Sequence, residues 1–289
     1  MKPRARAGLV ATVRLSLVLL VTSCSTPVVP DASTEVRIAG STSMYPLLAD
    51  LAAAYSESYP HVHLEIEEGG SRQGLDRVLL NETDLAACSW LPSDQQGSPQ
   101  AYIATPVAWD GLAIIVHSGN SASGLTLLQV RSIYGGWTLD WEEIGGEEGD
   151  IIVVSREDGS GSRSVFEGQV MGEQKVTLTA IVMPSSRAVV DYVAQHRSAV
   201  GYVSMGMLAA YNGEDDGAAV GIHKESVKTL RIEGAFPTPD TVQTGVYHLT
   251  HPLYLVTRTQ PGGLGQSFVD FALSQAGQAI IGMRYGRVR

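Results

Sequence analysis

The chain has few positive charges. Its 20 lysines and arginines face 30 aspartates and glutamates, which gives a formal net charge of −10 over 289 residues. An acidic surface repels the phosphate backbone of nucleic acids, so we expect no nucleic-acid partner. Binding of a small anion is not excluded, because affinity in a closed cleft depends on local donors rather than on net charge.

The apolar stretch near the N-terminus is too short to span a membrane. It covers residues 15–21, whereas a spanning helix needs about 20 apolar residues. Basic residues precede it, which is typical of a secretory signal peptide, and the V-T-S-C that ends at Cys24 resembles a bacterial lipobox. We therefore expect a lipoprotein signal peptide over 1–23, lipidation of Cys24 and a flexible tether over 24–35. A plain signal peptide with a chance cysteine is the alternative.

Features that enzymes and metal sites need are scarce. With Cys24 lipidated, Cys88 has no disulfide partner, and we expect it to pack as a small buried side chain. No histidine has a carboxylate or cysteine at metal-ligand spacing, so we expect no metal and no cofactor. The G-S-G-S at 159–162 is not a G-x-S-x-G elbow, and no histidine is placed by sequence to activate a serine. These absences argue against an enzyme.

An arginine stands beside a glycine- and serine-rich loop in the middle of the chain. Residues 151–154 read I-I-V-V, like a buried strand, and R-E-D-G-S-G-S-R-S-V-F follows at 156–166 and ends in an amphipathic pattern. The glycines allow close approach of the backbone, the first helical turn exposes N–H groups, and Arg156 adds a forked positive charge. The segment indicates an oxyanion site. A serine-capped helix after a surface turn is the alternative for this loop taken alone.

Two earlier segments repeat the order of strand, glycine/serine loop and helix. Residues 36–39 alternate like a strand before the G-S-T-S at 40–43, and residues 63–67 do so before the G-G-S-R-Q-G at 69–74. Each loop leads into apolar residues at helical spacing. Three such units in one chain favour ligand-binding loops over simple helix caps.

Five motifs, in this order, make the chain resemble the phosphate-binding proteins of ABC transporters. They are G-S-T-S-M-Y-P-L-L from Gly40, E-G-G-S-R-Q-G-L from Glu68, R-E-D-G-S-G-S-R-S-V-F-E from Arg156, A-V-G-Y-V-S-M-G from Ala199 and G-V-Y-H-L-T-H-P-L-Y from Gly245. The resemblance runs from about Val36 to the C-terminus. It implies an α/β, two-lobed periplasmic-binding-protein type II fold, with two crossing strands and the anion buried between the lobes.

The resemblance also implies a set of anion ligands. They are Thr42, the backbone N–H of Ser43, Ser71, Arg156, Ser160, Gly161 and Ser162. Asp158 matches the acidic position that orients the arginine. Some members place an aspartate after the strand at 84–88, where it accepts the proton of a hydrogen phosphate, and this chain has Ser89 there. A serine can donate or accept, so Ser89 need not select a protonated anion, and sulfate or molybdate stay open as ligands.

Residues 106–116 read as a buried strand that leaves the first lobe, and residues 230–255 contain the return, so these two crossings divide the chain into lobes. We expect lobe I at 36–113 and 248–289 and lobe II at 114–247. The resulting hypothesis is an exported monomer that is held at a membrane by Cys24 and faces the periplasm or the cell exterior. It would capture inorganic phosphate between its lobes and deliver it to an ABC permease. Binding or sensing of another oxyanion without transport, and a phosphate-ester hydrolase, are the alternatives.

Overall fold

The computed structural model describes residues 34–92, 102–213, 226–259 and 263–288. The predicted signal peptide and the predicted lipidation site Cys24 lie outside these residues. Within them, no helix combines the length and the hydropathy that a membrane-spanning segment needs.

Strands and helices alternate along most of the described chain. The strands are β1 (Glu35–Ser41), β2 (His63–Gly69), β3 (Leu85–Cys88), β4 (Tyr102–His117), β5 (Gly124–Leu125), β6 (Ile152–Arg156), β7 (Ile181–Met183), β8 (Ala199–Ser204), β9 (Val227–Thr229), β10 (Arg231–Ile232), β11 (Thr250–Arg258) and β12 (Gly286–Arg287). The α-helices are α1 (Tyr45–Ser58), α2 (Ser71–Leu79), α3 (Leu127–Gly135), α4 (Gly161–Phe166), α5 (Ser186–Gln195), α6 (Met205–Gly213), α7 (Pro239–Gln243), α8 (Gly263–Leu273) and α9 (Gln275–Ile281). The predicted α/β class is confirmed.

The long strand β4 connects two halves of one mixed sheet. The strand order is β2-β1-β3-β11-β4-β8-β6-β7, with β9 and β12 also paired to β4. The first part of β4 pairs antiparallel with β11 as far as Gly111, and the part from Leu112 pairs antiparallel with β8. β4 and β11 are therefore the crossing strands that the sequence predicts between residues 106–116 and 230–255.

Separate apolar cores form on the two sides of this crossing. In the first lobe, α1, α8 and α9 pack on one face of the sheet and α2 packs on the other. In the second lobe, α3, α4 and α5 pack against β6, β8 and the end of β4. Ala108 belongs to the first core, whereas Leu112, Ala113 and Leu249 pack in the second. The boundaries at 113/114 and 247/248 stay predictions.

Parallel pairing brings the ends of several strands to the cleft. β1 runs parallel to β2 and β3, and β6 runs parallel to β7 and β8. The carboxyl ends of parallel strands meet at one edge of a sheet, which is where ligands bind in open α/β folds. The loops after β1, β2, β3, β6 and β7 carry the polar residues described below.

Cys88 closes β3 and is fully buried. Its thiol donates to the carbonyl oxygen of Ser71 at 3.4 Å. Burial raises the pKa of the Cys88 thiol to about 12, so the thiol is neutral and a poor nucleophile. Cys88 packs as the buried side chain that the sequence predicts.

Candidate oxyanion-binding site

The first lobe presents a chain of serine hydroxyls to the cleft. The Ser41 Oγ lies 2.8 Å from the Ser43 Oγ and 3.1 Å from the Ser89 Oγ. The Ser89 Oγ is in turn 3.3 Å from the Ser71 Oγ, which also accepts the backbone N–H of Ser89 at 3.0 Å. All four side chains are buried. Because a hydroxyl can donate or accept, this face can reorient its protons around an anion.

The second lobe presents one buried arginine. Arg156 ends β6 and is 2% exposed. Its Nε and Nη2 donate to the two carboxylate oxygens of Glu157, each at 2.8 Å. Its Nη1 donates to the Ser186 Oγ at 2.8 Å, and its Nη2 donates across the cleft to the Thr42 Oγ1 at 3.3 Å. These bonds use four of the five guanidinium N–H groups, which leaves one for a ligand.

A tyrosine holds the end of β6 in place. The Tyr202 hydroxyl lies 2.9 Å from the Ser155 Oγ and accepts the backbone N–H of Arg156 at 3.3 Å. Its ring stacks on Phe166 of α4, with ring centroids 4.2 Å apart. Burial raises the pKa of Tyr202 to about 12, so the hydroxyl stays protonated. β6 and α4 are thereby fixed to each other around the arginine.

The loop after Arg156 starts α4 with a serine cap. The Ser160 Oγ accepts the backbone N–H of Arg163 at 3.3 Å. Ser160 and Ser162 are each 2% exposed, and Gly161 between them is buried. The last three residues of the G-S-G-S segment are therefore buried, whereas Gly159 at its start is exposed.

Glycines allow the two lobes to touch. A Cβ on Gly161 would lie 2.2 Å from the hydroxyl oxygens of both Ser71 and Ser89. A Cβ on Gly70 would lie 2.7 Å from the carbonyl oxygen of Gly159. Contacts under 3.0 Å do not fit a side chain, so glycine is needed at both positions for the lobes to approach this closely.

Of the residues that the resemblance implied as ligands, Thr42, Ser71, Arg156 and Gly161 make contacts between the lobes, and Ser43, Ser160 and Ser162 are buried beside them in sequence. Thr42, Ser43, Ser71 and Ser89 come from the first lobe, and Arg156, Ser160, Gly161 and Ser162 come from the second. The structure brings the two groups together through the Arg156–Thr42 bond and the Gly161 contacts. Ligation of an anion by these residues stays a prediction.

The predicted role of Asp158 needs correction. Its carboxylate pairs with Arg163 at 2.8 Å, and its side chain is 95% exposed. The residue that holds Arg156 is Glu157, whose carboxylate is 31% exposed and receives two N–H groups of the guanidinium. The backbone after β6 directs the side chain of Glu157 toward the guanidinium of Arg156 and that of Asp158 toward Arg163.

Sequence reasoning missed Ser186. It is fully buried at the start of α5, where it accepts from Arg156 and donates its backbone N–H to the Thr42 Oγ1 at 3.4 Å. A signal was available, because I-V-M-P-S-S-R at 181–187 is a further strand followed by serines and a helix. Ser41, which joins two hydroxyls of the first face, was also missed.

The site has the character of an anion cradle rather than a metal centre. Within the described ranges, no group of three or more histidine, cysteine or acidic side chains is arranged to hold a metal ion. The described part of the interface supplies buried hydroxyls and the buried Arg156, which are donors suited to oxygen atoms of an anion.

Two lobes joined by crossing strands, with polar donors buried between them, define a two-lobed solute-binding protein. The PBP superfamily domain matches residues 25–276, so the chain belongs to the PBP superfamily. The phosphate-binding protein PstS of Bacillus subtilis is 26% identical over 245 residues, covering 84% of this chain and 77% of the relative.

Solved structures agree with this assignment. A Clostridium perfringens structure with bound phosphate, described as a phosphate ABC transporter substrate-binding protein, is 29% identical with a TM-score of 0.78, covering 88% of this chain and 100% of the other. An ABC-type phosphate transport receptor from Vibrio cholerae is 28% identical with a TM-score of 0.67, covering 87% and 99%. The resemblance to phosphate-binding proteins of ABC transporters is confirmed.

Proposed function

We propose that this protein is an extracytoplasmic substrate-binding protein that captures inorganic phosphate between its lobes and delivers it to an ABC permease. The observation that carries the proposal is Arg156, which is 2% exposed and lies between two faces of hydroxyl and N–H donors. Relatives named as phosphate-binding proteins support the choice of ligand.

The proposed ligands match the chemistry of phosphate. A tetrahedral anion offers four oxygens, and the site surrounds it with neutral donors from both lobes. The proposed set is Thr42, the Ser43 N–H, Ser71, Ser89, Arg156, Ser160, Gly161 and Ser162, to which the geometry adds Ser186. Glu157 balances the charge of Arg156, so most of the anion would be held by hydrogen bonds to hydroxyl and N–H groups of the two lobes.

Binding in this proposal closes the cleft between lobe I (36–113 and 248–289) and lobe II (114–247). Arg156 and Thr42 come from opposite lobes, so an anion that contacts both is buried only when the lobes meet. Closure around a ligand is a common hinge motion in binding proteins, and it gives a permease a closed shape to recognise. Small-angle scattering tests this step, because phosphate should decrease the radius of gyration.

Export and membrane attachment are part of the proposal. Residues 1–23 would be removed as a lipoprotein signal peptide, and Cys24 would carry the lipid that holds a monomeric protein at the membrane. Metabolic labelling with a radioactive fatty acid tests this point. Cys24→Ser should abolish the label and release the protein from the membrane fraction, and a labelled Cys24→Ser protein would contradict the anchor.

Titration calorimetry with phosphate, with sulfate and molybdate as competitors, tests the ligand on protein stripped of bound anions. Tight binding of phosphate alone is expected. Preference for sulfate or molybdate would move the assignment to another oxyanion, as the hydroxyl at Ser89 in place of a carboxylate allows. Steady release of phosphate from a phosphate monoester would favour the hydrolase alternative, and no binding would overturn the proposal.

A further inference from the structure

A cavity of about 480 Å³ lies between the lobes next to the anion site. Its walls come from the segment after β3, from β4 and β11, and from α4 with the turn of π-helix that follows it at Glu167–Met171. Ligand pockets typically have volumes of about 300–1,000 Å³. Inorganic phosphate has five heavy atoms and would sit among the buried hydroxyls, so it does not account for this space.

The cavity and the anion site share a wall. Ser89 lines the cavity, and its hydroxyl also lies 3.3 Å from that of Ser71 in the anion site. Helix α4 likewise begins with Gly161 at the anion site and continues to Ser164 and Val165 at the cavity. A substituent on an anion oxygen near Ser89 would therefore point into the cavity.

The cavity wall is aromatic and carries unused polar groups. Trp90, Tyr102 and Tyr254 line it together with Leu91 and Val165. Among the described residues, no hydrogen bond uses the indole N–H of Trp90 or the hydroxyl of Tyr254. Aromatic rings stack on planar groups, and the two polar tips can bond to a substituent at its edge. The wall suits an aromatic or other planar organic group.

Ser89 also suits an ester oxygen. A carboxylate at this position would face the bridging oxygen of an ester unfavourably, because that oxygen has no proton to donate. A serine hydroxyl can donate to that oxygen instead. With a hydroxyl and no carboxylate at Ser89, the side of the site that adjoins the cavity presents no such barrier to an ester.

We propose that the cavity receives the organic group of a phosphate monoester whose phosphoryl group occupies the Arg156 site. This inference rests on the proposed function, because it uses the same anion site. The ligand class is a phosphate monoester with an aromatic or planar substituent, bound without reaction. The protein then binds both free phosphate and such esters.

Gly168 offers a direct test, because it lines the cavity and a Cβ at this position meets no atom within 4 Å. The phenyl ring of Gly168→Phe should occupy the cavity, because its Cβ has room at this position. Gly168→Ala is the matched control. Calorimetry with phenyl phosphate and with inorganic phosphate measures both ligands on each protein. We expect phenyl phosphate to bind the unmodified protein. Gly168→Phe should lower the affinity for phenyl phosphate about tenfold or more, whereas the affinity for inorganic phosphate should change less than about twofold.

Tyr254→Ala is a second variant that does not depend on the conformation of a new side chain. It should lower the affinity for phenyl phosphate about fivefold or more, because one aromatic contact of about 1 kcal/mol or more is lost. The affinity for inorganic phosphate should stay unchanged. If inorganic phosphate binds and phenyl phosphate does not, the inference is overturned and the proposed function stands. Phenyl phosphate binding that neither variant weakens also overturns the inference. If neither ligand binds, the proposed function fails with it.

Discussion

The face of the cleft built by the first lobe carries neutral hydroxyls, whereas the face built by the second lobe carries the charge. Ser41, Ser43, Ser71 and Ser89 form a connected hydroxyl chain on one side. On the other side, Arg156 is held by Glu157 in a two-bond fork. If the site binds an oxyanion as proposed, the arginine would supply the attraction and the adaptable hydroxyls would decide how each oxygen is matched, so the two tasks would lie on different lobes.

The largest expected effect is loss of the charged face. Arg156→Ala should weaken phosphate binding by about 2–5 kcal/mol, a factor of roughly 30 to several thousand, because it removes the partner of a buried anion. Calorimetry measures the change. Arg197→Ala is the control, since Arg197 forms an exposed pair with Glu147 and such pairs contribute about 0–1 kcal/mol. Equal affinities of the Arg156→Ala and unmodified proteins would remove Arg156 from the site.

The second prediction forces the two faces apart. Gly161→Ala places a methyl group 2.2 Å from two hydroxyl oxygens of the first lobe, so either these hydroxyls turn away from the site or the lobes stay further apart. Overpacking of this kind costs about 1–3 kcal/mol, so phosphate affinity should fall roughly 5- to 150-fold. Scattering should show a larger radius of gyration with phosphate than for the unmodified protein. Gly168→Ala, which adds a methyl group in open space, should change neither quantity.

Sequence reasoning reached the hydroxyl face more completely than the charged one. The strand, loop and helix units predict that Thr42, Ser71 and Arg156 lie close together, as they do at the contact between the lobes, because parallel strands bring such loops to one edge of the sheet. The prediction failed where two adjacent residues could each have made the same contact. Glu157 and Asp158 are adjacent acids, and only the path of the backbone after β6 decides which one reaches the guanidinium.

Ser186 and the cavity were missed for a different reason. Ser186 contacts Arg156 of its own lobe, 30 residues away in sequence, and Thr42 of the other lobe, 144 residues away, so its role depends on tertiary contacts. The cavity is likewise formed by segments of both lobes, including Ser89 and Val165. No short sequence pattern predicts a cavity of this kind. Residue types predict donors, but not how two lobes fit together.

The third prediction separates the two acids beside the arginine. Glu157→Ala should weaken phosphate binding about fivefold, because the guanidinium loses its fork while the removal of a negative charge offsets part of that loss. Asp158→Ala should change affinity less than about twofold, since its carboxylate is 95% exposed and contacts Arg163. Calorimetry of both variants decides between them. A larger effect for Asp158→Ala would restore the role that the sequence suggested.

The strands that join the two faces contain a buried acid and a buried histidine. Asp110 on β4 is opposite His251 on β11, and the Asp110 Oδ2 lies 3.8 Å from the His251 Nε2. Burial raises the pKa of Asp110 to about 7, although nearby Ser204 and backbone N–H groups partly lower it, and burial lowers the pKa of His251 to about 4. Tyr247 and Tyr285, which also face Asp110, have raised pKa values because of burial and stay neutral. Both members of the pair are therefore uncharged between about pH 4 and 7.

The smallest expected effect concerns stability and pH at this crossing. Protonated Asp110 stabilises the fold fully below its ordinary pKa of 3.8, and this contribution is lost as pH rises to about 7. Neutral His251 contributes fully above its ordinary pKa of 6.5, and this contribution is lost as pH falls to about 4. The two trends oppose each other in the unmodified protein. Asp110→Asn should remove only the first, so its Tm relative to the unmodified protein should rise between pH 4 and 7.5.

His251→Asn should give the opposite trend, with its relative Tm highest at low pH, because it removes the group that must stay neutral. Each change of about 1 kcal/mol corresponds to roughly 2–4 °C in Tm for a domain of 150–250 residues, so calorimetric melts at closely spaced pH values can resolve it. Relative Tm values that do not vary with pH in either variant would contradict the assigned protonation states. Opposite slopes of relative Tm against pH in the two variants would show that the pH dependence of stability comes from the strands that join the lobes, and not from the face that carries Arg156.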